Sequence, residues 1–499
     1  MSEDRNTFRI DDRVRELITD PAVPDADEMG APPGGKRGEP TIDEIRFDLN
    51  PEELIEYLKS YLVEQDRAIE VVATKICTHF HRARFEMEHS ELPRIVGHVK
   101  SNILLIGPTG VGKTYLVKLI AHKLNVPFVK GDATKFSETG YVGGDVEDLV
   151  RELVHQAGGD IKLAEYGIIY IDEIDKIAAA SNYYGLDVSR SGVQRNLLKL
   201  MEETEVDMKV AHDLASQMES VMETQRTGKV VRKKVNTRNI LFVMSGAFNG
   251  LPDIISRRLK KGGMGFGGGE MTGDKGSPIL LEKLHSTDLV EYGFESEFVG
   301  RVPVITRLKE LSEDGLYGVL KNAKSAVIMG KKRDFAAYGI ELTFDDEALR
   351  LIAKRAHSQG TGARSLVGVV EEVLLPFERT FPTAGAKRLH VTAAVVEDPE
   401  SALQTILPAA VVELFTEAFL ARSGITLEFS PAATAEVARQ VKLSGISMRR
   451  WLNRAFKDYE YGLKLVGRTK VSVTPEMIVD PTGELDKLVK KAYRGKGKG

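Results

Sequence analysis

Apolar residues recur at helical spacing near the start of the chain. Leu54, Ile55, Leu58, Leu62 and Val63 form one such series, and Ile69, Val72, Ala73 and Ile76 form another. Residues 41–95 therefore read as helices. The pattern changes from residue 96 to residue 310, where short apolar runs predict strands at 102–106, 127–130, 168–171 and 239–244. Helical patterns such as Leu116, Leu119, Ile120 and Leu124 separate them. Strands alternating with helices predict an α/β fold, a parallel sheet with helices on both faces. Residues 311–398 read as a smaller α/β unit.

The remainder repeats that smaller unit in weakened form. Gly339-Ile-Glu-Leu-Thr-Phe344 is echoed by Gly424-Ile-Thr-Leu-Glu-Phe429. Ala353, Gly360 and Arg364 return as Ala438, Gly445 and Arg449 in the same register. Val391-Thr392 and Asp398-Pro399 return as Val473-Thr474 and Asp480-Pro481. Two long copies predict a duplicated small domain over 399–485, rather than a helical array of short repeats. Residues 1–44 hold several prolines, glycines and acids with little periodicity, so they read as a disordered arm. Residues 486–499 read as a basic tail. Residues 207–228 read as an inserted amphipathic helix, with Leu214, Met218, Val221 and Met222 on one side.

Composition narrows the class. The 499 residues are 42% hydrophobic and 28% charged, as in a globular protein of about three domains. A net charge of −4 gives no general case for nucleic acid. No run reads as a membrane span, and residues 1–30 lack a signal-peptide pattern. Cys77 is the sole cysteine, which excludes a disulfide framework or a cysteine zinc cluster within the chain. Its apolar helical setting predicts buried packing. A cytoplasmic location is the expectation.

The chemistry is concentrated after the first predicted strand. Gly107, Pro108, Thr109, Gly110, Val111, Gly112, Lys113 and Thr114 follow Ile103-Leu-Leu-Ile106 and open a helix. In that setting the glycines let backbone N–H groups turn inward around phosphate oxygens, and the helix presents its positive end to the same anion. Lys113 would reach the β- and γ-phosphates of ATP, and the Thr114 hydroxyl would ligate Mg²⁺. Asp172 and Glu173 end the apolar run Ile168-Ile-Tyr-Ile171. They fall on the strand ends where open α/β sheets bind ligands. Asp172 is the candidate holder of Mg²⁺, and Glu173 the candidate base for the attacking water.

With these motifs in place, residues 45–398 resemble the AAA+ unfoldases of the ClpX and HslU type. The most specific stretch is Asp132-Ala-Thr-Lys-Phe-Ser-Glu-Thr-Gly-Tyr-Val-Gly-Gly-Asp145. Its Gly140, Tyr141, Val142 and Gly143 are similar to the pore loop that grips substrate in that family. Asp187-Val-Ser-Arg-Ser-Gly-Val-Gln194 resembles the segment after the acidic strand. Ile240-Leu-Phe-Val-Met-Ser-Gly-Ala-Phe248 resembles the sensor-1 strand, which implies Ser245 near the γ-phosphate. Glu297-Phe-Val-Gly-Arg-Val-Pro303 resembles the arginine-finger segment, which implies that Arg301 serves the neighbouring subunit. Gly362-Ala-Arg-Ser-Leu366 is similar to sensor 2, which implies that Arg364 reaches ATP. Leu62 and Val63 fall where the family packs an aliphatic pair on adenine, with Glu64 standing where the family has Gly.

The layout is nearer ClpX than HslU, since the interval between Gly143 and Ile168 is too short for the domain HslU inserts there. One cysteine cannot build the zinc domain of ClpX. Met264, Gly265 and Phe266 fall where ClpX carries its docking loop for the ClpP peptidase, with Met in place of a branched aliphatic. The resemblance implies a homohexameric ATPase that threads protein substrates through a pore, with a ClpP-type peptidase as candidate partner and with no membrane partner. The alternatives are a peptidase-independent remodeller of one client, or a nucleotide-regulated scaffold with little turnover.

Overall fold

The computed structural model describes residues 42, 45–93, 97, 99–137, 144–178, 188–208, 233–261 and 278–496. The N-terminal arm, apart from Ile42, lies outside these residues, as do the candidate pore loop Gly140–Gly143, the Met264–Phe266 loop and nearly all of the 207–228 insertion. The described chain divides into two compact units. One runs through Gly315 and takes in Thr361–Ala363. The other holds the rest from Leu316 onward.

In the first unit, helices Pro51–Lys59 and Asp66–Glu88 precede strand β1, Ile103–Ile106. Then come β2 (Phe128–Asp132), β3 (Ile168–Asp172), β4 (Glu205–Asp207), β5 (Lys234–Asn236), β6 (Leu241–Gly246) and β7 (Val304–Arg307). Five of these form one sheet in the order β2-β3-β6-β1-β7, with every neighbouring pair parallel. All four residues of β1 and all six of β6 are buried, as their continuous apolar runs require in a sheet covered on both faces. Within this sheet, β7 is the strand that apolar patterning misses. It is an edge strand whose residues alternate between buried and half-buried positions, and its Thr306 and Arg307 break the apolar run. β4 and β5 pair antiparallel, with Glu205 opposite Asn236, so they staple together the two ends of the insertion. Cys77 is buried in helix Asp66–Glu88, and burial pushes its thiol up to about 11.

In the second unit, β8 (Glu341–Phe344) pairs parallel with β9 (Arg388–Val391), and β10 (Thr426–Phe429) pairs parallel with β11 (Lys470–Val473). Helices Asp346–Ser358 and Ala363–Ala384 lie between the first pair in sequence. Helices Pro431–Ser444, Met448–Ala455 and Tyr459–Leu465 lie between the second. Lys487, Lys490 and Lys491, read from sequence as part of a tail, instead lie on helix Pro481–Lys496. Apolar Leu485, Leu488 and Val489 hold that helix against the core of the last segment.

Helix Pro399–Ser423 also corrects the sequence reading, because it is long and apolar enough to cross a membrane by length and composition. The run is interrupted by Pro408, Glu413 and Glu417, which mask its average apolarity to the eye. Val411, Val412, Phe415 and Phe419 on this helix are buried in the core that packs β10 and β11.

Candidate functional site

The phosphate loop connects β1 to helix Lys113–Leu124. Gly112 stands at the helix N-cap with φ 94°, a left-handed conformation that glycine adopts without steric cost. Gly107 is fixed for another reason. A Cβ there would stand 2.5 Å from the Leu308 carbonyl oxygen, just beyond β7. Lys113 folds back over the loop, with Nζ donating to the Gly107 carbonyl at 2.6 Å and the Pro108 carbonyl at 2.7 Å. Leu62 packs beside the loop, since a Cβ on Gly112 would come within 3.1 Å of its Cδ2. The candidate adenine wall and the phosphate loop are thus neighbours. Glu64 has φ 63°, a left-handed turn that glycine takes freely and that costs a glutamate about 1 kcal/mol of strain.

The acidic end of β3 shows a division of labour within one carboxylate. Asp172 Oδ1 accepts from Ser245 Oγ at 2.7 Å, the Glu173 backbone N–H at 3.1 Å and Tyr170 OH at 3.3 Å. Oδ2 faces Lys130 Nζ at 2.9 Å and Thr114 Oγ1 at 3.4 Å. Tyr170 OH also meets Ser245 Oγ at 2.6 Å and Thr114 Oγ1 at 3.0 Å. Burial works to raise the Asp172 carboxyl, but hydrogen bonds from Ser245 and Lys130 and the Lys130 charge hold it below its usual range. Burial pushes the Tyr170 phenol well up, so it stays a neutral donor. Oδ1 is therefore held by three neutral donors, while Oδ2 is paired with Lys130 and lies beside Thr114. A hydroxyl beside an ionised carboxylate oxygen is the hard-oxygen pair that Mg²⁺ accepts.

Glu173 follows in an exposed left-handed position, φ 56°, at the start of the 3₁₀ turn Ile174–Ile177. Strain of this kind in a non-glycine residue is concentrated at functional sites. Thr114, Asp172, Glu173 and Ser245 are thus brought together. Tyr170 and Lys130 are the members that motif reading passes over. Period-two alternation places Tyr170 on the same face as Asp172. Lys130 is found only through sheet register, opposite Tyr170.

Arg301 is not joined to this group. Ile103 of β1 pairs with Val304 of β7, so both strands start at one edge of the sheet. The phosphate loop leaves β1 at the opposite edge, about 13 Å away for a four-residue strand. Arg301, three residues before Val304, lies at the starting edge, where its carbonyl accepts from Asn102 Nδ2 at 2.9 Å. Its guanidinium pairs with Glu202 at 2.7 Å, both side chains being roughly two-fifths exposed. Arg364 belongs to the second unit, exposed at the second residue of helix Ala363–Ala384. The Met264–Phe266 and Tyr141 assignments lie outside the described residues.

A parallel sheet with a phosphate loop after β1, an acidic pair after β3 and a buried polar residue at the end of β6 defines a P-loop ATPase. Residues 98–305 match the family model described as AAA domain (Cdc48 subfamily). Residues 321–377 match the model described as the C-terminal, D2-small domain of ClpB protein. The chain is 37% identical over 355 residues to the ATP-dependent Clp protease ATP-binding subunit ClpX of Treponema denticola, covering 70% of this chain and 82% of that protein. The chain belongs to the ClpX-type family of Clp AAA ATPases.

Proposed function

We propose that this ATPase is a protein unfoldase that works as a ring of identical subunits, each nucleotide being completed by Arg301 of the neighbour. The observation that carries the reading is the position of Arg301 at the sheet edge opposite its own phosphate loop. An arginine side chain does not span that distance, so an Arg301 that contacts a γ-phosphate must do so in another subunit. Within one subunit, Lys113 and the loop amides hold the phosphates, and Leu62 and Val63 pack on the base. Glu173 orients the attacking water. Thr114 and Asp172 Oδ2 would hold Mg²⁺, which would supply neutralisation of phosphate charge. Arg364 is assigned as a sensor of the same nucleotide from the Gly362-Ala-Arg-Ser-Leu366 motif alone.

Tyr141 is the proposed gripping residue of the pore, and Met264-Gly-Phe266 the proposed contact for a ClpP-type peptidase. The relative is named as a subunit of an ATP-dependent protease, which supports that partner. The last segment of the chain is proposed to be a second copy of the small domain. β10 begins 85 residues after β8, β11 begins 82 after β9, and both pairs are parallel.

Subunit mixing tests the central claim. Arg301→Ala protein and Lys113→Ala protein are each expected to show little ATP hydrolysis alone. When mixed, a Lys113→Ala subunit lends its intact Arg301 to a neighbour with an intact loop, and activity returns in part. No recovery on mixing, with both proteins folded and assembled, would refute an Arg301 that acts across subunits. Loss of fluorescence from a tagged, folded reporter, dependent on ATP and on Tyr141, tests the unfolding step.

A further inference from the structure

Glu64, held in a left-handed turn, has a counterpart elsewhere in the chain. Ser312 caps helix Glu313–Lys321, its hydroxyl accepting from the Gly315 backbone N–H at 2.9 Å. In an ordinary capping box, the residue three places into the helix would carry Glu or Gln, whose side chain returns to the cap's own N–H. Here that residue is Gly315, which has no side chain to return. The missing carboxylate comes from Glu64. It accepts from the Ser312 backbone N–H at 3.0 Å and from the Ser312 hydroxyl. Gly315 also makes the room, because a Cβ there would stand 2.5 Å from Glu64 Cδ.

The next residue adds a second tie. Gln65 is buried and clamps the Lys309 backbone at both ends of its amide, accepting from N–H and donating to the carbonyl, each at 2.9 Å. The turn that carries Leu62 and Val63 is therefore bonded at two successive residues to the segment leaving β7. That segment leads into helix Glu313–Lys321, which runs out of the first compact unit at Gly315.

We propose that Glu64 is a positioning residue that completes the cap of helix Glu313–Lys321 from outside the helix, and so couples the adenine-side turn to the inter-unit connection. The inference rests on the assignment of Leu62 and Val63 to the base. A change at the base then reaches the first turn of the helix through a carboxylate rather than through packing alone. A helix that supplied its own N-terminal glutamate would have an equally good cap and no such connection.

The test uses the full chain with Glu64→Gln, Glu64→Gly and the double variant Glu64→Gly/Gly315→Glu. The double variant moves the carboxylate into the helix and rebuilds an ordinary capping box. Hydrogen exchange of the 312–316 amides is measured with and without ADP, alongside kcat and KM for ATP. Both single variants are expected to exchange these amides several-fold faster, and to lose kcat several-fold with KM changed less than twofold. The double variant is expected to recover amide protection without recovering kcat or the response of these amides to ADP. Recovery of kcat together with protection would reduce Glu64 to a plain helix cap and overturn the proposal. Unchanged exchange in the single variants would overturn it as well. A Leu62→Asp control keeps the two readings apart. If its KM for ATP is unaltered, the adenine assignment fails, whatever Glu64 does to the helix.

Discussion

Ser245→Ala separates two accounts of the polar residue at the end of β6. The family pattern implies that Ser245 lies near the γ-phosphate, which leaves open a direct contact, and its hydroxyl bonds protein groups. It donates to Asp172 Oδ1 at 2.7 Å and meets Tyr170 OH at 2.6 Å, and both Ser245 and Tyr170 are fully buried. In this arrangement Ser245 acts through Asp172. Removing a donor from an ionised, half-buried carboxylate costs about 1.5–3 kcal/mol when water does not replace it. Part of that is returned, because Tyr170 OH and the Glu173 N–H still hold Oδ1. A net loss of about 2 kcal/mol corresponds to a roughly thirtyfold change in an equilibrium constant.

The loss should appear as weaker apparent affinity for Mg²⁺ in ATP hydrolysis, the half-saturating Mg²⁺ rising about ten- to thirtyfold while kcat at saturating Mg²⁺ changes less. The sign of the pH effect follows. The Asp172 carboxyl is held below its usual range although burial opposes this, and the Ser245 hydrogen bond contributes to the lowering. Its ionised form contributes stability above the unfolded carboxylate range, lost as pH falls through the lower folded value. Without Ser245 that folded value rises, so the acid limb of the rate profile should move to higher pH. A Mg²⁺ titration of steady-state hydrolysis at several pH values measures both. A variant with unchanged Mg²⁺ dependence and acid limb but a collapsed kcat would refute the indirect role and favour direct contact with the phosphate.

Three further outcomes are expected. Lys100 is buried, with Nζ donating to the Thr237 carbonyl at 2.8 Å and lying 5.0 Å from the centre of the Phe242 ring, and burial pulls it down to about 7. The unfolded chain then binds one more proton between about pH 7 and 10, so stability from this group rises with pH by about 1.4 kcal/mol per unit. Urea denaturation at pH 7.5 and 9 should show wild type gaining about 2 kcal/mol relative to Lys100→Met, and equal pH slopes would refute it. Glu202→Ala should leave stability within about 1 kcal/mol, since its partner Arg301 is well exposed. It should also lower the protein concentration at which ATPase activity is half-maximal, because Arg301 no longer has to leave an intramolecular partner. Gly107→Ala should lose nucleotide binding and destabilise the fold by about 1–3 kcal/mol, because the Leu308 main chain cannot move aside. Fluorescent-nucleotide titration and thermal melts report the two effects.

The parts legible in the sequence are those whose chemistry runs along the chain. The phosphate loop is eight consecutive residues between a strand and a helix, so order alone fixes its geometry. Asp172 is legible for the same reason, because a buried strand delivers its next polar residue to the sheet's rim. Lys130 is a different case. It is a charged residue within a strand, and only the pairing of Lys130 with Tyr170 brings its ammonium to Asp172. Strand order is likewise absent from local pattern, and it decides what Arg301 is able to do. The motif names the residue. The parallel pairing of Ile103 with Val304 sets it at the edge of the sheet away from its own phosphate loop. Glu64 joins the two cases. Sequence shows a glutamate in the place of a glycine, which reads as a damaged turn. Structure shows the turn retained at φ 63° and the side chain supplying a cap that Gly315 lacks, 251 residues later in the chain. A departure from a family pattern is therefore interpretable only together with its contact partner, here Ser312, and with Gly315, whose missing side chain leaves the room.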